Sequence, residues 1–105
     1  MDSILYNLIT NAIKYRHPDR APVISIKTEK LESEVCLIVC DNGLGIDMNL
    51  YQDKLFNLYS RFHFHVDGKG MGLYLVKSHL VAMGGRIEIQ SQVDKGSTFR
   101  AYFKV

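Results

Sequence analysis

Three groups of residues in this 105-residue chain have types and spacings that could do chemistry. The first is Asp41-Asn42-Gly43-Leu44-Gly45, which follows the most apolar run, Val35 to Cys40. Glycines let the backbone take φ > 0 and let a ligand approach closely. A carboxylate at the end of a buried strand lies where open α/β sheets tend to bind ligands. Asp-Asn-Gly is equally an ordinary turn. The second group is Asn7, Asn11 and Lys14, at i, i+4 and i+7, which share one stripe of a helix. Such a stripe is commonly just a solvated face, although asparagine is a mediocre helix former. The third is Gly68-Lys69-Gly70-Met71-Gly72, whose alternate glycines predict a flexible loop. It runs into a predicted helix, whose first N–H groups and positive dipole end make a natural phosphate site.

Together the three groups supply what a nucleoside triphosphate needs. A carboxylate can accept the exocyclic amine of a base. An amide oxygen can ligate Mg²⁺, which keeps several waters and bridges phosphates. Backbone N–H groups and lysine neutralise a phosphate tail. Other nucleotide motifs are absent: there is no G-x-x-x-x-G-K-[ST], and no G-x-G-x-x-G directly after a strand. His63 and His65 could ligate a metal, but no third ligand has fitting spacing.

The elements that must position these groups follow from periodicity. Ile4, Leu5, Leu8, Ile9, Ala12 and Ile13 predict a helix over 3–16 with one apolar face, ended by Pro18. Val23 to Glu29 alternate as a strand, and Lys30 to Glu34 turn the chain. Val35 to Cys40 are apolar on both faces and therefore central, forming an antiparallel hairpin with the preceding strand. A short helix is predicted over roughly 49–61. Leu73, Val76, Leu80 and Met83 predict a second strong helix over 71–83, stopped by Gly84-Gly85. Arg86 to Ser91 and Thr98 to Val105 alternate as a second hairpin around Asp94-Lys95-Gly96-Ser97. Phe99, Ala101, Phe103 and Val105 lie on one face of its last strand, with Thr98, Arg100, Tyr102 and Lys104 on the other. The sum is one domain over 1–105, a two-layer α/β sandwich. Two helices cover one face of a mixed or antiparallel sheet of at least four strands, and the other face is polar.

Bulk composition is that of a globular domain, 47% hydrophobic and 23% charged. A net charge of +2 gives no field that argues for nucleic acid. No apolar run approaches the roughly 20 residues that span a bilayer. Cys36 and Cys40 would face the same side about 13 Å apart, too far for a disulfide. Two free thiols point to a reducing compartment, the cytoplasm.

The sequence resembles the ATP-binding catalytic domain of sensor histidine kinases, in the wider Bergerat-fold group that includes gyrase B, Hsp90 and MutL. Asn7-Leu8-Ile9-Thr10-Asn11-Ala12-Ile13-Lys14-Tyr15 resembles the asparagine box, and Asp41-Asn42-Gly43-Leu44-Gly45-Ile46 the first glycine box. Leu55-Phe56-Asn57-Leu58-Tyr59-Ser60-Arg61-Phe62 resembles the phenylalanine box. Gly68-Lys69-Gly70-Met71-Gly72-Leu73 resembles the second glycine box, and Gly84-Gly85-Arg86-Ile87 with Lys95-Gly96-Ser97-Thr98-Phe99 the tail. Any one box is a weak signal, and four in order at suitable spacing are specific.

The resemblance implies roles. Asn11 would ligate Mg²⁺ with support from Asn7, and Lys14 would contact phosphate. Tyr15 would pack against the nucleotide. Asp41 would accept the adenine amine, with Gly43 and Gly45 giving the base room. Gly70 and Gly72 would bind phosphates through backbone amides, with Lys69 helping. Leu73 and Thr98 complete the nucleotide contacts, and roughly 60–70 would be a mobile lid. The family's ATP-hydrolysing members carry a glutamate one turn before the Mg²⁺ asparagine. Here that position is Asn7, and an amide is no general base. The expected activity is therefore protein-histidine kinase, with ATP and Mg²⁺ as cofactors.

Two departures bear on this. The family has a strand and a helix before the asparagine box, so the expected fold is N-terminally shortened, with an exposed edge that a second copy could cover. None of His17, His63, His65 and His79 has the setting of a phosphoacceptor. The acceptor would lie on a dimerising helical domain of the same parent protein, and the expected cytoplasmic placement of this domain is compatible with a membrane-anchored parent. A response regulator would be the downstream partner of this two-component phosphorelay. Alternatives are a nucleotide-binding sensor or scaffold without transfer, an ATPase of the same superfamily, and a protein-serine kinase of the anti-sigma type.

Overall fold

The computed structural model describes residues 2–51 and 72–104. The predicted phenylalanine box, His63, His65, Lys69 and Gly70 lie outside those residues, as does most of the predicted 49–61 helix. Its described part is a short helix, Met48–Tyr51.

The first helix, α1, spans Asp2–Lys14. Isolated helices of about 12–15 residues are marginal in water, so packing must hold it. Ile4, Leu8 and Ala12, spaced by four, are all buried. Each full burial of such an aliphatic chain is worth about 1.5–3 kcal/mol. Ile13, expected on the same face, is 45% exposed. The helix ends in a tightened turn, with Tyr15 N–H on Asn11 O and Arg16 N–H on Ile13 O.

With Met48–Tyr51 as α2, the last helix is α3, Gly72–Ala82. Leu73, Val76 and Leu80 are buried against α1 and the sheet. Met83, expected to continue that stripe, sits past the helix end and is 46% exposed. The stop is of the expected kind. Gly84 takes φ +75°, Gly84 N–H bonds Val81 O, and Gly85 N–H bonds Leu80 O. This doubly bonded cap satisfies carbonyls the helix leaves open.

The strands are β1 Ile24–Lys30, β2 Glu34–Asp41, β3 Arg86–Gln92 and β4 Gly96–Lys104. They form one antiparallel sheet in the order β1-β2-β4-β3. Both predicted hairpins are present, joined through β2 and β4. Lys30, expected in the turn, belongs to β1, and Val23 lies before it. β2 is central, as its two apolar faces require. Leu37 and Val39 enter the core beneath the helices with Phe99, Ala101 and Phe103. Cys36 and Ile38 are buried on the other face, opposite Tyr102 and Arg100.

That far face is polar. Arg100 Nη1 donates to Gln90 Oε1 at 2.7 Å, and Tyr102 Oη donates to Glu88 Oε1 at 2.9 Å. Arg86 lies 3.9 Å over the Tyr102 ring and pairs with Glu34 at 2.7 Å. Both cysteines are free thiols, and burial pushes the Cys36 thiol up. Among the described residues, no helix is long and apolar enough to cross a membrane.

Candidate functional site

Strand alternation decides which side chains can meet here. Val39 faces the helices, so Asp41, two residues on, faces them too. Its cross-strand partner is Ser97. The C-terminal half of α1 runs above this end of the sheet. The result is a shallow recess lined by Asn11, Tyr15, Asp41, Gly45, Ile46, Ser97 and Phe99. The structure thus brings together residues from two of the three groups picked out by spacing.

Asp41 is half-buried, and its Oδ1 accepts the N–H of Gly43 at 2.9 Å. Burial pushes its carboxyl pKa up, opposed by the backbone N–H bonds from Gly43 and Ser97. The loop is fixed by neighbouring backbone. Leu44 N–H donates to Tyr15 O at 2.9 Å, and Asp94 N–H to Leu44 O at 2.7 Å. Asn42 is consumed in that scaffold: its Oδ1 accepts Val23 N–H, and its Nδ2 donates to Ala21 O. Gly45 has φ +73°, and a Cβ there would lie 2.0 Å from the Gln92 carbonyl oxygen. A Cβ on Gly43 would lie 2.5 Å from Tyr15 O. The room these glycines make is filled by the protein's own backbone, which lets three segments close around the recess.

Ser97 is a polar residue that spacing did not single out. It is 7% exposed, and its Oγ lies 2.7 Å from Ser91 Oγ. Ser91 Oγ donates its one proton to Gly96 O and accepts Ile46 N–H. By proton count Ser97 is then the donor to Ser91. Its lone pairs remain for a donor in the recess. The signal for it was parity, since Ser97 falls in the same alternating set as Phe99, Ala101 and Phe103.

The same parity places Thr98 elsewhere. Its Oγ1 lies 3.2 Å from Cys40 Sγ on the far face of the sheet, so its side chain does not reach the recess. Leu73 is also set apart, because its side chain is 5% exposed within the hydrophobic core. Gly72 is the first residue of α3, where N–H groups are unsatisfied by the helix itself. Asn7 and Asn11 are half-buried, and Lys14 is exposed in the last turn of α1. The stripe is therefore only partly solvated. Neither Asn7 nor Lys14 lines the recess. Among the described residues, no cluster of three His, Cys, Asp or Glu could hold a metal. Mg²⁺ does not require one, since one or two protein oxygens with phosphates and waters suffice. Asn11, which lines the recess, fits that pattern.

A two-layer sandwich with a carboxylate-ended central strand beneath an asparagine-bearing helix defines a class of nucleotide-binding domain. The chain belongs to the family described as histidine kinase-, DNA gyrase B-, and HSP90-like ATPase, which matches residues 1–105. It is 41% identical over 104 residues to cyanobacterial phytochrome A of Nostoc sp., covering 97% of this chain and 13% of that protein. It is 36% identical over 107 residues to the sensor protein SrrB of Staphylococcus aureus, covering 94% of this chain and 17% of that protein. The chain thus spans under a fifth of the length of these relatives. Its fold superimposes on the mycobacterial sensor histidine kinase MprB with a TM-score of 0.83 at 19% identity, covering 97% of this chain and 70% of that one. It superimposes on full-length ShkA in complex with AMPPNP with a TM-score of 0.81 at 24% identity, covering 96% and 20%.

Proposed function

We propose that this chain binds Mg-ATP in the recess between α1 and the end of β2. It then presents the γ-phosphoryl group to a histidine on a separate dimerising helical domain, in cytoplasmic two-component signalling. The observation that carries this is Asp41 and Asn11 lining one recess. Asp41 can take the amine edge of adenine while Asn11 takes the metal side.

The roles follow from the residues' chemistry. Asp41 accepts the exocyclic amine, with Ser97 adding an acceptor beside it. Tyr15, Ile46 and Phe99 give the base apolar contact. Asn11 supplies an oxygen to Mg²⁺, which would neutralise charge on the phosphates. Asn7 lies one turn earlier on the same helix, and Lys14 offers a cation nearby. The N–H groups of Gly70 and Gly72 would hold phosphate, Gly72 being the first residue of α3 and Lys69 close in sequence. The Thr98 and Leu73 side chains have no part in this arrangement. An amide at Asn7 cannot take a proton from water. The site is therefore suited to holding ATP until an acceptor nitrogen attacks phosphorus in line and ADP leaves. That acceptor would pass the phosphoryl on to a response regulator.

The test is transfer of label from γ-labelled ATP to the acceptor domain of the longer protein. Label on histidine supports the kinase. ATP binding without transfer means a sensor or scaffold module, and steady phosphate release without labelled protein means an ATPase. Label on serine would assign the anti-sigma type.

A further inference from the structure

The Asp41–Gly45 loop is gripped from outside the recess by one side chain. Arg20 Nε donates to the carbonyl of Asn42 at 2.7 Å. Its Nη2 donates to the carbonyls of Gly43, at 3.0 Å, and Asp94. These acceptors come from the β2–α2 loop and the β3–β4 turn, 22, 23 and 74 positions away in the chain. A planar guanidinium holds several donors in a fixed fork, which a single ammonium cannot reproduce.

The grip leads to the recess through one residue. Gly43 gives its carbonyl to Arg20 and its N–H to Asp41 Oδ1. The peptide that orients the carboxylate is therefore the one Arg20 holds. Asp94, also held by Arg20 through its carbonyl, gives its N–H to Leu44 O, and Leu44 N–H bonds Tyr15 O. One exposed cation thus ties the carboxylate loop to the β3–β4 turn and, through Leu44, to the end of α1; the loop and the end of α1 both line the recess.

We propose that Arg20 is a positioning residue for base selection: it fixes the Asp41 carboxylate, through the Gly43 peptide, at the place where an exocyclic amine must donate. This rests on the nucleotide assignment above. Binding energy is gained when a recognition group is held in place before the ligand arrives. A loosened carboxylate can swing or admit water, so it discriminates less between an amine and a carbonyl at the purine 6-position.

The experiment compares the parent chain with Arg20→Gln and Arg20→Lys. Calorimetry gives the Kd for Mg-ATP and Mg-GTP, and hydrogen exchange is followed at the Gly43 and Leu44 amides. The expected result is that Arg20→Gln narrows the ratio of GTP to ATP Kd values about tenfold and speeds exchange at both amides. Arg20→Lys, which keeps the charge, should remain closer to Arg20→Gln than to the parent. A purely structural arginine would lower the unfolding midpoint and weaken both nucleotides in step. An unchanged ratio in a parent that binds ATP therefore overturns the proposal while leaving the nucleotide assignment intact. If the parent binds neither nucleotide, the nucleotide assignment falls, and base selection by Arg20 with it. Unchanged exchange at Gly43 and Leu44 would then remove the positioning role as well.

Discussion

Asp41 accepts the N–H of Gly43, two residues on, at 2.9 Å while standing opposite Ser97 in the sheet. The carboxylate is held by its own loop and by the neighbouring strand, yet it is half-buried, and burial dominates its ionisation. Its folded pKa is raised above 3.8. A group with a raised folded pKa contributes stability that is complete below the unfolded pKa and is lost as pH rises through the folded value. At neutral pH the charged carboxylate is therefore a cost to folding.

Asp41→Asn separates these two roles. Asparagine keeps an oxygen for the Gly43 N–H and loses the charge. Urea unfolding at pH 7 should find the variant no less stable than the parent, with the parent gaining relative stability as pH falls through the raised carboxyl pKa and gaining no more below 3.8. Adenine binding should weaken roughly 10- to 100-fold, since a hydrogen bond to a charged group is worth about 1.5–3 kcal/mol. Equal affinity for Mg-ATP in calorimetry would remove Asp41 from the base site.

Asn11→Ala addresses the metal side. Alanine is the better helix former, by some tenths of a kcal/mol, and Asn11 is only half-buried. The helical signal and unfolding midpoint should hold. The gain in ATP affinity on adding Mg²⁺ should shrink at least tenfold. A magnesium titration of binding decides this, and an undiminished gain would move the metal away from α1.

Gly45→Ala tests the backbone closure. The positive φ costs a β-carbon roughly 1–2 kcal/mol, and the Gln92 carbonyl would lie 2.0 Å from that carbon. Either the loop or the end of β3 must move. The expected loss is about 2–4 kcal/mol, in the range of strained-backbone and overpacking substitutions. It should appear as a lower urea midpoint with an unchanged slope.

The two hairpins and two helices were legible because alternation and helical spacing are strong there. Leu37 and Val39 meet Phe99 and Ala101 as the apolar pattern requires. The far-face position of Thr98 was legible too, since it alternates with Phe99, but motif position pulled it into the site. Ser97, which does line the recess, shares parity with Phe99 and was readable on the same count. Leu73 belongs to the glycine-box motif and to the apolar stripe of α3, and the core won its side chain. Arg20 was not legible. Its partners are main-chain carbonyls far along the chain, and a carbonyl leaves no mark in a sequence. Ile13 was expected in the apolar face of α1 and is exposed, because periodicity places a residue on a face without showing how far the opposite layer extends.

The far face offers a titration. The Tyr102 hydroxyl donates to Glu88, and that bond, with burial and neighbouring charge adding to it, pushes its pKa up to about 12. The Tyr102 contribution is complete below about 10 and is lost as pH rises through about 12. Glu88→Gln should bring one tyrosine back toward 10 in the ultraviolet difference spectrum. An unchanged titration curve would mean the hydrogen bond does not control the phenol.

Asn7 carries the last prediction, because it tests why ATP would be kept for transfer. It is half-buried on α1, one turn before Asn11. If Mg-ATP binds as proposed, a glutamate there would put a carboxylate one turn from Asn11, within the same helical stripe. A carboxylate can take a proton from water, which an amide cannot, and positioned general bases contribute about 10²- to 10⁴-fold. Asn7→Glu should therefore raise steady phosphate release from a low background while reducing label passed to an acceptor histidine. The increase should vanish in the Asn7→Glu, Asn11→Ala double variant, which would lack the amide proposed to hold the metal. If Asn7→Glu binds Mg-ATP and releases no more phosphate than the parent, the absence of a base at position 7 is not what preserves the nucleotide, and the lack of hydrolysis must come from excluded or misplaced water.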